Sequence, residues 1–479
     1  MGFKILLVNP PFDRGKGYNR EGRCTQEAGF WATPWPPYSL AMLAAVLREG
    51  TSVRILDCPA QNVSENALSA MIARGVPDIV MASVGTETIE SDLAALAKIK
   101  KLPVKPVIII FGVHATVFAE DILKNSAVDY VVRGEPEETA SELVGALLGK
   151  LDPEQVKGIA GRSASGRIFM TVPRDVIRDL DALPFPAWDL VDLDRYRLPG
   201  SKRKFILVNT LRGCPFPCVF CTARAYYGSL ARLRSVQNVL EEIEAGIVRH
   251  GIRDVFFWSD TFTLVREQVK ELCAGIVSRG MKIRWVANSR VDTVDPELLD
   301  LMKKAGCWLL SYGIESGDDR VLERSGKKIT VAQVERAVAW TRAAGIKSAG
   351  HFIFGLPGET EETAHKTIGL ARKLDLDFAQ FYAAVPYPGS ALFDEASREG
   401  RIRDNSWRSF NQADFVMGLP GISRAALYRM RRKAYHAFYF RPRTLKTALS
   451  QASLRGPISS GARAVKKLFK KTSLKWDEE

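Results

Sequence analysis

The segment RGCPFPCVFC, residues 212–221, gathers Cys214, Cys218 and Cys221 in a chain of 479 residues that has seven cysteines in all. Free cysteine prefers burial in a core, so three on a proline-rich loop point to metal chemistry rather than to incidental thiols. Structural zinc takes a closed set of four ligands, and no fourth Cys or His stands nearby: Cys273 falls in a helical pattern, Cys307 precedes a later strand and His250 ends a helix. A [4Fe–4S] cluster also normally takes four cysteines. Three thiolates on one loop would leave one iron open to an outside ligand, while Pro215 and Pro217 stiffen the loop and remove two amide donors.

Such a loop needs elements to hold it. From residue 204 onward KFILVNTLRG, DVFFWSD, KIRWVANSR, WLLSYGIES, AGHFIFGLPG and FAQFYAAVPYPG read as strands, with helical patterns such as VQNVLEEIEAGIVRHG and PELLDLMKKAG between them. Six βα units predict a partial (β/α)6 TIM-type barrel over residues 201–420, with chemistry at the carboxyl ends of its strands. The three cysteines directly follow the first of those strands. Residues 1–147 hold five further βα units, from KILLVNPP to VDYVVRGE, whose near-continuous apolar strands predict a flavodoxin-like (Rossmann-like) parallel sheet covered on both faces. Its loops NPPFDRGKG, SVGTET, FGVHAT and RGEPEE share one edge, where such sheets bind ligands. Residues 148–200, with Pro184, Pro186 and Trp188, read as an irregular linker packed over a surface, and 421–479 as a basic helical extension.

Composition sets the outer bounds. Hydrophobic content of 46% and charged content of 25% are those of a globular protein, and 479 residues imply two or three domains. An odd, irregular set of cysteines fits a reducing cytoplasm. The start, MGFKILLVNPPF, reads as a first strand rather than a leader, and no apolar run approaches the roughly 18 residues of a membrane span. The net charge is +14, and fifteen Lys and Arg against three acids lie from Arg424 to the end, so almost all the excess is in the tail. The body is close to neutral, which argues against nucleic acid as the partner.

The motif CPFPCVFC, cysteine spaced by three and two with an aromatic at Phe220, resembles the signature of radical S-adenosylmethionine (radical SAM) enzymes. FFWSDTFT, RWVANSRVDTVDPELLDLMKKAGC, SYGIESGDDRVLERSGKKIT, HFIFGLPGETEET and YPGSALF resemble the successive strand-end motifs of that family's cobalamin-dependent branch. PPYSLAMLAAVLRE, FGVHAT and VDYVVRGEPEET resemble the cobalamin-binding domain that precedes the barrel there. The likeness covers residues 4 to about 420, and the branch contains the anaerobic magnesium-protoporphyrin monomethyl ester cyclase and hopanoid-modifying enzymes.

The resemblance implies a [4Fe–4S] cluster on Cys214, Cys218 and Cys221, whose fourth iron chelates S-adenosylmethionine. One electron, from reduced flavodoxin or ferredoxin, then cleaves it to methionine and a 5′-deoxyadenosyl radical, in an oxygen-sensitive enzyme. Phe220 would pack near the adenine or fill the barrel mouth. Asp260 would face the methionine amine, a sound ion pair, or cap a helix. Glu315 with Ser316 would bind the ribose. Arg290 would pair with the methionine carboxylate or with Asp292 beside it. Gly355, with Pro357 and Gly358, would supply backbone geometry near the adenine.

For cobalamin, the resemblance places Ser83, Gly85, Thr86, Gly112 and His114 along the nucleotide tail and corrin edge, with Phe111 where a second glycine is frequent. The Asp-x-His-x-x-Gly run of proteins that replace the lower ligand does not appear in NPPFDRGKG, so cobalt would lack a protein imidazole, and His114 reads as a loop hydrogen-bonding residue. Two reactions fit: methylation of an unactivated carbon through methylcobalamin, favoured as the commoner use, or radical ring closure without net methylation. An RNA methylthiotransferase would need three more cysteines before the barrel, where only Cys24 and Cys58 stand. A non-catalytic cofactor carrier would have no use for Asp260 and Glu315. The tail, RMRRKAYHAFYFRPRTLKTAL and GARAVKKLFKKTSLKW, interleaves cations with aromatics. It suits either peripheral contact with the inner face of a membrane, and with it a lipid or isoprenoid substrate, or a solvated helix covering the barrel. The substrate is in either case a small molecule.

Overall fold

The computed structural model describes residues 3–12, 18–21, 26–27, 34–149, 152–198, 203–404 and 406–441. The first sheet is built from β1 (Phe3–Asn9), β2 (Thr51–Asp57), β3 (Ile79–Ser83), β4 (Val107–Phe111) and β5 (Tyr130–Val132), all parallel, in the order 2-1-3-4-5. That is the flavodoxin-like order, whose switch point lies between β1 and β3. Successive side chains take opposite faces: Leu7, Met81 and Ile109 pack on one side of the sheet, Val8, Val80 and Ile110 on the other. Helices cover both faces, so the strands are apolar throughout.

The stretch read as an irregular linker contains more structure than its sequence signals. β6 (Ile159–Arg162) and β7 (Ile168–Met170) form an antiparallel hairpin that extends the first sheet beyond β5. Strands of four and three residues are too short to show a period of two. Gly161 is required there, since a Cβ would stand 2.5 Å from the Tyr130 ring.

The second sheet is six parallel strands in sequential order: β8 (Phe205–Val208), β9 (Asp254–Phe257), β10 (Arg284–Ser289), β11 (Cys307–Glu315), β12 (Lys347–Phe354) and β13 (Phe378–Ala383). This is the expected partial barrel. On each strand one face is fully buried under helices, through Trp285, Tyr312, Phe352 and Phe381. The alternate residues, Phe256, Asn288, Ser311, His351, Gln380 and Tyr382, are half-buried and face the inside of the arc. The helices between strands start at hydrogen-bonded caps: Ser235, Asp295, Thr330 and Thr360 each accept an amide of their first turn.

Two chain segments after the barrel strands complete the packing. Helix Arg424–Tyr439 packs on the outside of β13: Phe438 is fully buried, and the Tyr435 and Tyr439 hydroxyls bond the backbone of Phe381 and Ala379. These aromatics of the basic extension are therefore packed on the barrel, as in the barrel-covering alternative; residues 442–479, the remainder of that extension, lie outside the described residues. The segment 406–410 returns to the first domain, where Trp407 N–H and Ser406 Oγ donate to Glu90 at 2.9 and 3.1 Å. Among the described residues no helix is long and apolar enough to cross a membrane.

Candidate functional site

The cysteine loop is pinched off from the barrel by a short antiparallel pairing of Leu211–Arg212 with Arg232–Leu233. Its first turn needs Gly213: φ is +87°, and a Cβ would stand 2.1 Å from the Leu230 carbonyl oxygen. Gly213 N–H donates to Asp260 Oδ2 at 2.9 Å and Val219 N–H to Ser325 O at 2.9 Å. Gly326, at φ +69°, lets the backbone after Ser325 pass the loop, for a Cβ there would meet Pro217 O at 2.3 Å. The loop is thus held at one side by the Asp260 carboxylate and at the other by the backbone of Ser325.

Cys214 is buried, and Cys218 and Cys221 are half-buried; all three are free thiols. Ala223 N–H donates to Cys221 Sγ at 3.4 Å, and Cys214 Sγ lies 3.9 Å from Thr261 Oγ1. Among the described residues no three Cys, His, Asp or Glu side chains converge on a point that could hold a single metal ion. Three thiolates on one loop suit a cluster, in which each takes a different iron. Burial pushes the Cys218 thiol above its ordinary range, opposed by Lys327 and Arg290 and reinforced by Cys221 and Glu315.

Glu315 lies at the carboxyl end of β11, where the register with β12 shifts, and it adopts a left-handed φ of +65°. A non-glycine residue there is strained, a cost that clusters at functional sites. The carboxylate is buried and accepts from Lys327 Nζ at 2.8 Å. Gly313 makes room for that pair, since a Cβ would stand 2.4 Å from Glu315 Oε1 and 2.6 Å from Lys327 Nζ. Ser316 is fully buried beside it, accepting Asp318 N–H at 3.2 Å, with its hydroxyl 3.3 Å from Thr367 Oγ1.

Arg290 makes two 2.8 Å bonds to Asp292, the pairing left open by the sequence, and donates to Lys327 O at 2.9 Å. Its guanidinium also lies 3.5 Å from the Phe216 ring centroid, so it braces the cysteine loop. Asp260 binds Gly213 N–H and is not a helix cap, because the next helix starts at Arg266 behind Val265. Phe220 is half-buried against Val321, Leu356, Leu392 and Met417. Gly355, at φ +91°, donates its N–H to buried Glu359, whose pKa burial pushes up to about 8.

On the first domain, Ser83 ends β3 and Gly85 and Thr86 follow it, held from beneath by a pair that the sequence did not reveal. Buried Arg20 donates to Ser83 O, Thr88 Oγ1 and Asp92, and Thr88 N–H returns to Gly85 O. Gly112 has φ +133°, and its Cβ would stand 2.3 Å from Val84 O. The glycine is thus needed for the approach of the two strand ends. Phe111 points into the sheet core. His114 is buried, with Nδ1 3.3 Å from Thr86 Oγ1 and its ring edge-on to Trp407 at 4.8 Å. Burial pushes its pKa down to about 3, so it is neutral. At the same edge Asn9, the last residue of β1, is buried with its Oδ1 unpartnered among the described residues. Glycine-shaped loops with a free polar atom at the switch-point edge fit a large amide-bearing cofactor.

The largest feature missed by sequence reading joins the two halves. Glu135, just before the helix Pro136–Leu147, and Glu137, in its first turn, bind Arg212 at 3.1 and 2.6 Å, and Arg232 binds Glu135 at 2.7 Å, all four side chains at most 4% exposed. RGEPEE was legible as an edge loop, but nothing local marks its acids as partners for arginines 75 to 97 residues on.

Comparison with known proteins agrees with this geometry. The Radical SAM superfamily profile matches residues 208–371, and the B12 binding domain profile residues 31–144. The chain is 36% identical over 446 residues to an uncharacterized methyltransferase of Pyrococcus horikoshii, covering 92% of this chain and 94% of that one. It is 29% identical over 444 residues to the anaerobic magnesium-protoporphyrin IX monomethyl ester cyclase of Rubrivivax gelatinosus, covering 91% and 77%. The structure of the radical S-adenosylmethionine methyltransferase TsrM from Kitasatospora setae superposes with a TM-score of 0.72 at 18% identity, over 98% of this chain and 99% of that one. That likeness confirms the two-domain α/β fold. A B12-binding domain docked through buried charges onto a cysteine-bearing partial barrel, matched along nearly the whole length of a relative, assigns this chain to the radical SAM superfamily, as an enzyme of its B12-binding branch.

Proposed function

We propose that the protein methylates an unactivated carbon of a small molecule, using S-adenosylmethionine both as radical source and as methyl donor. The observation that carries this reading is that the Cys214–Cys221 loop and the Glu315–Lys327 pair both stand at the carboxyl ends of barrel strands, with the first domain docked through Glu135 and Glu137 onto Arg212 at the base of the loop. When bound, the cluster and cobalamin would supply an electron for cleaving the sulfonium and a carrier for the methyl group. Cys214, Cys218 and Cys221 would hold three irons. Asp260, braced on Gly213, stands beside the cluster loop and can meet the methionine ammonium. Glu315 keeps one carboxylate oxygen on Lys327 and offers the other to a ribose hydroxyl. Arg290 holds the loop through Phe216 rather than moving protons.

Ser83, Gly85, Thr86 and Gly112 would line the cobalamin edge, and buried, neutral His114 would support Thr86 rather than reach cobalt. Reduced flavodoxin or ferredoxin would donate the electron, in a reducing cytoplasm and without oxygen. The basic extension, residues 421–479, would add peripheral contact with an anionic membrane; deleting 441–479 should abolish liposome binding, and unchanged binding contradicts that contact.

The test is product analysis after anaerobic reconstitution, with S-adenosylhomocysteine measured with and without cobalamin. Cobalamin-dependent S-adenosylhomocysteine together with 5′-deoxyadenosine is the expected result. 5′-Deoxyadenosine alone would instead favour ring closure, the reaction of the cyclase relative.

A further inference from the structure

One short turn, Ser325, Gly326 and Lys327, touches both the cysteine loop and the Glu315 carboxylate. It follows the helix Asp319–Arg324, and Ser325 N–H and Lys327 N–H donate back to Val321 O and Leu322 O, each at 3.0 Å. Backbone thus fixes the turn before any side chain acts. On the loop side, Ser325 O accepts Val219 N–H at 2.9 Å, and Gly326 passes Pro217 O so closely that a Cβ would stand 2.3 Å from it. Lys327 O accepts Arg290 Nη2 at 2.9 Å, from the guanidinium that lies over Phe216. Three consecutive residues therefore brace the segment between Cys214 and Cys221, the third of them through Arg290.

On the other side one atom reaches out. Lys327 Nζ donates to Glu315 Oε1 at 2.8 Å, with the two side chains 8% and 7% exposed. Glu315 Oε2 has no hydrogen-bond partner among the described residues. A glutamate side chain left to itself samples several rotamers. Pairing one oxygen with a buried ammonium removes that freedom and aims the other oxygen.

We propose that Lys327 is a positioning residue: its backbone belongs to the turn that braces the cysteine loop, its ammonium aims the free oxygen of Glu315, and it thereby sets the spacing between the ribose carboxylate and the cluster. The inference rests on the proposed function in taking Glu315 as the ribose ligand. A ligand gripped at two places gains from the second contact only when the spacing of the two matches its own. The spacing is therefore worth as much as either contact.

Gly313 offers a way to move the pair without removing it. A Cβ there would stand 2.4 Å from Glu315 Oε1 and 2.6 Å from Lys327 Nζ, both at the ends of flexible side chains, and Gly313 is not among the residues with positive φ. Gly313→Ala displaces the pair and keeps both charges.

The test is equilibrium dialysis of S-adenosylmethionine against the cluster- and cobalamin-loaded protein, with iron content and thermal midpoint taken on the same samples. Lys327→Met and Gly313→Ala should each bind at least about tenfold more weakly than wild type, as for one charge-assisted hydrogen bond lost or misplaced. Iron should be unchanged, because the backbone of the turn is intact. Glu315→Gln should bind at least as weakly, and adding Lys327→Met to it should change affinity by no more than about threefold, since nothing is left to position. The double variant also leaves no buried charge uncompensated, so a pair that served only the fold would regain wild-type affinity there. Gly313→Ala decides the matter if Lys327→Met does not fold. Wild-type affinity in Gly313→Ala and in folded Lys327→Met, losses that add in the double variant, or recovery of affinity by the double variant would overturn the proposal and leave the proposed function standing. Wild type that holds its cluster and retains no S-adenosylmethionine would contradict the proposed function, and this inference with it.

Discussion

Arg212 Nη2 lies 2.6 Å from Glu137 Oε1, and Arg212 stands two residues before the first cluster cysteine. The cobalamin-domain loop is thereby tied to the strand that launches the cysteine loop. Removing one member of a buried ion network leaves an uncompensated charge, at a cost of about 3–5 kcal/mol. Arg212→Met should lower stability by that amount in chemical denaturation. Arg48→Met, which removes an ion pair to Asp189 with both partners about half exposed, should change it by less than about 1 kcal/mol.

Gly326→Ala drives a Cβ towards the Pro217 carbonyl at a positive φ. Backbone strain of that kind costs about 1–3 kcal/mol, and here it falls on the cysteine loop. The variant should reconstitute with much less iron than wild type while cobalamin binding by the first domain is retained. Iron and cobalamin quantified on one sample check this.

Gly112→Ala is the mirror experiment. Its Cβ would meet Val84 O at 2.3 Å at φ +133°, parting the ends of β3 and β4, so cobalamin retention should fall. Iron content should hold, since the cysteine loop is anchored on Asp260, Ser325 and Gly326.

Glu359 gives a pH signature. Its pKa is about 8 in the fold against about 4.3 in an unfolded chain, so the native state holds the extra proton between those values. Its contribution to stability is full below about pH 4 and is lost as pH rises towards 8. Glu359→Gln keeps an acceptor for Gly355 N–H and removes the titration. The stability difference, variant minus wild type, should increase steadily from pH 5 to 8, and a flat difference would contradict the assignment.

Much of this architecture was legible in sequence because it is local. Apolar strands alternating with amphipathic helices carried both sheets, and the spacing of Cys214, Cys218 and Cys221 carried the cluster loop. The hairpin 159–170 was not legible, since strands so short have no period to read. The Lys327 partner of Glu315 was invisible for a different reason. SGKK offers two adjacent lysines, and only the β11 bulge with Gly313 decides which one reaches the carboxylate. Arg20 with Asp92, and Arg212 with Glu135 and Glu137, pair across 72 to 77 residues; such pairs follow from the docking of elements, which no local pattern encodes. Tyr435 and Tyr439 were read with the basic residues around them, although their hydroxyls serve the edge of β13.

The central claim, a cluster on three cysteines with one iron open to S-adenosylmethionine, is tested most directly by reductive cleavage. Wild type and Cys218→Ala would be reconstituted side by side without oxygen, reduced, and assayed for 5′-deoxyadenosine. The account predicts formation by wild type and none by Cys218→Ala. Equal formation by the two proteins, or none by wild type that demonstrably holds its cluster, would contradict it.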